Sequence, residues 1–147
     1  MKTIKIRKHA KNTLSGILMI MMLFMFNSCA VKSKFTASSV VPNAQGKIKV
    51  NRDKNKNYVI QIKLTNLAEV EKLQTSKNTY VVWMETDQGN TENLGQLNSS
   101  KGLFTKKREA SLDAVSSYKP AKIFITAESN SNVQIPDEKV IMSTGNF

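Results

Sequence analysis

The chain has 147 residues, with 22 lysines and arginines against 11 acids, one histidine and one cysteine, for a net charge of +11. That length allows one domain with a single modest core beside any targeting segment. A lone cysteine excludes an internal disulfide framework.

The N-terminus sets the context. Lys2, Lys5, Arg7, Lys8 and Lys11 stand in residues 2–12 without an acid, and residues 14–26 form an apolar run broken only by Ser15 and Gly16. A membrane-spanning helix needs about 20 apolar residues, so this shorter run suits the core of a cleavable export signal. The run ends in Phe26-Asn27-Ser28-Cys29, which resembles a bacterial lipobox. The resemblance implies cleavage between Ser28 and Cys29 and acylation of the Cys29 thiol, the buried acyl chains then holding the protein to a membrane. Ala30 rather than an aspartate follows the cysteine, and no acidic run comes after it. By the same resemblance the protein sorts to the outer membrane and faces the periplasm, with the inner membrane or the cell surface as alternatives.

Cleavage removes residues 1–28 and, with them, His9 and five of the basic residues, leaving 17 cations against 11 acids, a net +6. With Cys29 acylated, the remainder has neither imidazole nor free thiol. This argues against Ser-His or Cys-His nucleophiles and against zinc, and the expectation is no catalytic residue, no metal and no cofactor. The mild, dispersed charge and the export signal argue against nucleic acid as a partner.

Along the rest of the chain, residues 29–45 lack any sustained period and read as a lipidated flexible tether, with Val40 and Val41 as the one candidate strand start. A domain is expected over 46–147. Lys47–Val50 alternates basic and apolar residues, and Tyr58, Ile60, Ile62 and Leu64 share one face against Gln61 and Lys63, which is the pattern of half-buried antiparallel strands. Asp53–Asn57 is the turn between them. Glu69–Lys77 suits a helical turn or a long loop. Thr79–Thr86 is the most apolar segment and reads as a central strand, with a turn at Asp87–Asn90 and a returning strand at Thr91–Leu97. One weak strand is expected within 102–112, a clear one at Ala121–Glu128, a turn at Ser129–Asn132 and a closing strand at Val140–Met142. Seven or eight short strands with frequent turn signals predict an all-β fold, an antiparallel immunoglobulin-like β-sandwich.

Three segments carry a family resemblance: Tyr80-Val81-Val82-Trp83 with its turn at Asp87-Gln88-Gly89; Asn93-Leu94-Gly95-Gln96-Leu97; and Ile123–Glu128 followed by Pro136, Val140-Ile141-Met142 and Gly145. Together they resemble the extracytoplasmic domain of anti-sigma-K factors. The resemblance implies a sensor-like or interaction sandwich outside the cytoplasm. Those regulators place a cytoplasmic sigma-binding domain and a membrane helix before this module. Here the module follows a lipobox, so the likeness transfers the fold and not the anti-sigma activity.

Trp83 reads as a core aromatic fixing the packing of the two sheets. Gly89, Gly95 and Gly102 read as turn or bulge positions of positive φ. Asp137 and Glu138 are adjacent acids with no third ligand to suggest calcium. Two basic segments remain, 47–56 (Lys47, Lys49, Arg52, Lys54, Lys56) and 101–108 (Lys101, Lys106, Lys107, Arg108). Both suit solvated strands and edges, or contact with an anionic membrane or glycolipid surface. The leading expectation is a non-enzymatic binding or accessory module with an envelope protein as partner. A membrane-surface or anionic-glycolipid module is the alternative.

Overall fold

In a computed structural model the described residues are 30–70, 77–101 and 108–147. They form nine strands: β1 (Val31–Lys34), β2 (Gln45–Arg52), β3 (Tyr58–Thr65), β4 (Thr79–Thr86), β5 (Thr91–Gln96), β6 (Asn98–Lys101), β7 (Arg108–Ser116), β8 (Pro120–Glu128) and β9 (Val140–Ser143). All pair antiparallel, in one sheet of order β1-β2-β3-β7-β6 and a second of order β5-β4-β8-β9. With β1 set aside, this is the ABED sheet facing a C′CFG sheet of immunoglobulin-like sandwiches. The expected fold is the observed one.

The core follows from alternation. Ile48 and Val50 on β2, Ile60, Ile62 and Leu64 on β3, and Ala110 and Leu112 on β7 point inward from the first sheet. Tyr80, Val82 and Met84 on β4, Ile123, Ile125 and Ala127 on β8, and Ile141 and Met142 from β9 meet them from the second. Gly46 belongs to the same inward row, and a Cβ there would overlap the Phe35 ring and the Leu64 methyl. Only glycine lets these two side chains close over the backbone at that point.

Both sides of the sandwich are closed by chain that passes between sheets. On one side β5 runs into β6 through Leu97, whose N–H donates to the Tyr80 carbonyl at 2.9 Å. On the other, Phe35 bridges Thr144 and the Thr36 N–H donates to the Ser143 carbonyl at 2.8 Å. Ser38 accepts from the Val40 and Val41 N–H groups and donates to the Ile141 carbonyl, which brings Val41 and Ala44 into the core.

Three sequence readings change here. Residues 29–45 were expected to form a tether. From Val31 onward they belong to the domain, because β1 pairs with β2 along its whole length and Phe35, Val41 and Ala44 are buried. Among the described residues the domain therefore includes Val31 onward and not only Gly46 onward. Val40 and Val41 start no strand. Of the weak strand expected at 102–112, residues 102–107 lie outside the described residues and 108–112 belong to β7, which runs on to Ser116.

Trp83 is fully buried, but on the opposite face of β4 from Val82 and Met84. It stacks on Phe124 of β8, ring centroids 6.4 Å apart. Residues 129–139 are tied to this outer face. The Asn93 amide of β5 donates to the carbonyls of Ser131 and Val133, and the Asp137 N–H donates to Glu128. Trp83 thus anchors a small second core under the β8–β9 connection, not the contact between the sheets. The turns at Asp53–Asn57 and Asp87–Asn90 form as expected, and Gly89 and Gly95 have positive φ. Gly102 and most of Glu69–Lys77 lie outside the described residues.

Candidate functional site

Strand alternation and register together build the most unusual surface of the domain. On β1, Lys32 and Lys34 point outward, as do Lys47 and Lys49 on β2 and Lys63 on β3. Register sets Lys34 opposite Lys47 and Lys32 opposite Lys49 across the first strand pair, and Lys47 opposite Lys63 across the second. Strands lie about 4.8 Å apart and alternate residues about 6.7 Å along a strand, so five ammonium groups crowd a patch roughly 10 Å by 7 Å. All five are exposed and line one shallow depression with Ser33, Ile48 and Gln61. None is in an ion pair among the described residues.

This arrangement is costly. Like charges directly opposite on neighbouring strands destabilise a sheet. Relief is close at hand but not used: the acids on this face, Glu109 and Asp113, are both on β7, beside Thr65 and Gln61 respectively. The sheet is therefore segregated, basic across β1–β3 and acidic on β7. Next to the lysines, Val59 and Val115 form an outward apolar pair across β3 and β7, with Val115 63% exposed.

The other sequence-singled residues fare differently. Ser28 and Cys29 lie outside the described residues, as do Lys106 and Lys107. Lys101 ends β6, and its backbone pairs with Arg108. The Arg108 guanidinium is engaged with Glu69 at 2.8 Å, so it is not a free cation for a surface. Within 47–56, Arg52 lies over the Tyr58 ring at 4.7 Å and also donates to its hydroxyl, while Lys54 and Lys56 sit in the turn. Only Lys47 and Lys49 reach the face. The sequence reading missed Lys32, Lys34 and Lys63 as their companions. The signal available was the repeated Lys-x-Lys at 32–34 and 47–49, which says nothing about register.

On the opposite side of the molecule, a connected polar network holds the 129–139 segment. The Trp83 indole N–H donates to Thr126 Oγ1 at 2.8 Å, and the Thr126 hydroxyl donates to Glu128 Oε1 at 2.6 Å. The Asp137 N–H donates to the same oxygen at 2.8 Å, and Lys77 Nζ donates to Asp137 Oδ2 at 2.7 Å. Lys77, donating to Asp137, holds that carboxyl below the ordinary carboxylate range, and the same bond holds the Lys77 ammonium above the ordinary lysine range. A polar groove runs beside this segment, lined by Glu92, Asn93, Gln96, Asn98, Asn132 and Gln134 among others. Asp137 is thus bound to a lysine, and among the described residues no group of three His, Cys, Asp or Glu side chains could hold a metal ion. Compared with known proteins, the chain matches no family model and yields no significant match to a curated protein or a solved structure.

Proposed function

We propose that the chain is a lipid-anchored envelope lipoprotein, outer-membrane and periplasm-facing, whose sandwich is a non-enzymatic binding or accessory module. The observation that carries this reading is the basic stretch and short apolar run closing on Phe26-Asn27-Ser28-Cys29. Val31, the first residue of β1, comes two residues after Cys29. The likeness to anti-sigma-K extracytoplasmic domains supports an interaction role for the sandwich, and anti-sigma activity forms no part of the proposal. Its protein partner is another envelope component, met through the β5 edge and the polar groove beside the 129–139 segment.

Replacing the thiol tests the anchor. Cys29→Ala is expected to abolish metabolic labelling by palmitate and to leave an uncut precursor or a released product. A variant that stays labelled and membrane-bound refutes it. For the partner, crosslinking from the groove in intact cells is expected to recover one envelope protein reproducibly. Recovery of bulk lipid and abundant porins alone refutes that part.

A further inference from the structure

We infer that the five-lysine face of β1–β3 is a docking surface for the anionic phospholipid headgroups of the membrane that holds Cys29. This rests on the lipid-anchor reading above, and three observations select that occupant.

First, the lysines are not accounted for by the fold. Lysines on an edge strand block edge-to-edge pairing, which explains Lys32 and Lys34 on β1. It does not explain Lys47, Lys49 and Lys63, because β2 and β3 are interior strands with partners on both sides. Three directly opposed Lys–Lys pairs work against the sheet, and an anionic ligand removes that repulsion.

Second, the patch starts beside the anchor. Lys32 is three residues from Cys29, and three extended residues span at most about 10 Å. Across β1 to β3 adds about another 10 Å. All five ammonium groups therefore fall within roughly 20 Å of an acylated cysteine, against a bilayer surface whose field decays over a Debye length of about 8 Å. Held that close, a weak contact acts at high effective concentration.

Third, the face is amphipathic in the sense a membrane interface requires. The row beside the lysines carries the Val59–Val115 pair, and Val115 is 63% exposed. Membrane-surface binding combines basic charge with some apolar area at the headgroup boundary, whereas a soluble anion has no use for an exposed valine beside the lysines.

The test uses residues 30–147, which carry the whole described sandwich and no cysteine, with vesicles of equimolar phosphatidylglycerol and phosphatidylcholine or of phosphatidylcholine alone. Co-sedimentation is expected with the anionic vesicles only, and it is expected to weaken as salt rises. The triple variant Lys32→Gln, Lys47→Gln, Lys49→Gln is expected to weaken binding by about a hundredfold, at roughly fivefold per lysine. A control of equal charge, Lys119→Gln, Lys122→Gln, Lys139→Gln, is expected to bind like the parent. Failure to prefer anionic vesicles overturns the inference, and so does equal loss in the control, which would mean net charge alone. Orientation gives a second readout: a fluorophore at Ser111→Cys, on the lysine face, is expected to be quenched by headgroup-labelled lipid, and one at Gln134→Cys is not. The reverse pattern overturns the assignment. None of these measurements involves Cys29, so they fail independently of the labelling experiment. If Cys29→Ala shows that no anchor exists, vesicle binding by the face remains a separate result and its tie to an anchoring membrane is lost.

Discussion

Lys47 is the central residue of the lysine face, and neutralising it gives the sharpest physical test of how that face is built. It stands directly opposite Lys34 on β1 and Lys63 on β3, so Lys47→Gln removes two like-charge pairs at once. Ammonium groups that fan out to about 8 Å in water repel by about 0.5 kcal/mol per pair. Two pairs come to about 1 kcal/mol at low ionic strength, and a Debye length of about 8 Å at physiological salt leaves about 0.4 kcal/mol. For a domain of this size the larger figure is a rise in Tm of roughly 4 °C. Glutamine shortens the aliphatic stem and gives back a few tenths of a kcal/mol of cover. Thermal or urea unfolding at low and high salt separates the two effects, since only the electrostatic part is screened. The expected result is a stabilised variant in low salt whose advantage shrinks to nothing near about 1 M, where the Debye length is about 3 Å. A variant equal to or less stable than the parent in low salt, or a gain indifferent to salt, refutes the reasoning.

Elsewhere in the fold the expected costs have the opposite sign. Gly46→Ala forces a methyl group into Phe35 and Leu64 and is expected to destabilise by about 1–3 kcal/mol in denaturant unfolding, an unchanged midpoint counting against that packing. Glu128→Ala leaves the Asp137 N–H and the Thr126 hydroxyl without their shared acceptor and is expected to cost about 2 kcal/mol. Because Trp83 is the only tryptophan, the same variant is expected to shift its emission to the red as the 129–139 segment loosens, and native-like emission would refute the link. The Lys77–Asp137 pair predicts a pH dependence of two signs. Asp137, held below its ordinary value, contributes fully above the ordinary carboxylate range and less as pH falls through its lowered pKa. Lys77, held above its ordinary value, contributes fully below the ordinary lysine range and less as pH rises through its raised pKa. Lys77→Met is therefore expected to flatten the stability profile at both extremes, and an unaltered profile in unfolding measured across pH would dismiss the pair.

What the sequence made legible depended on side-chain size at inward positions. β2, β3, β4 and β8 carry Ile, Val, Leu and Met at the buried sites, and their alternation is plain. β7 buries Ala110 and Leu112 with Ala114 packed against them, so its period is present but faint and its C-terminal half passed unnoticed. β6 contains no apolar residue and β1 only Val31. Such strands are held by backbone pairing to a neighbour, a property of the partner rather than of the segment. Trp83 shows a different limit. Both faces of β4 are buried, so alternation cannot say which face meets the other sheet. The candidate site was half visible: Lys47, Lys49 and Lys63 read correctly as the polar side of strands, Lys32 and Lys34 were placed in a tether, and the convergence of all five is a matter of register.

In the proposed lipoprotein, the short link between Cys29 and β1 decides how much the lysine face can do. A 16-residue random-coil tether would have held the domain about 20–25 Å from the membrane with every orientation open. With only Ala30 between Cys29 and β1, the proposed anchor leaves almost no such freedom, so even contacts of about 1 kcal/mol per lysine are enough to fix one orientation. The sheets stack about 10 Å apart, back to back, so bringing β1–β3 to the bilayer turns the outer face of β4 and β8 away from it. That outer face carries the polar groove, the 129–139 segment and Ile135, which is 81% exposed. The network from Trp83 through Thr126 and Glu128 to Asp137 then acquires a purpose beyond stability. On the proposed anchoring it rigidifies the surface that a face-down sandwich turns away from the membrane, and a preformed surface loses less entropy when a partner binds.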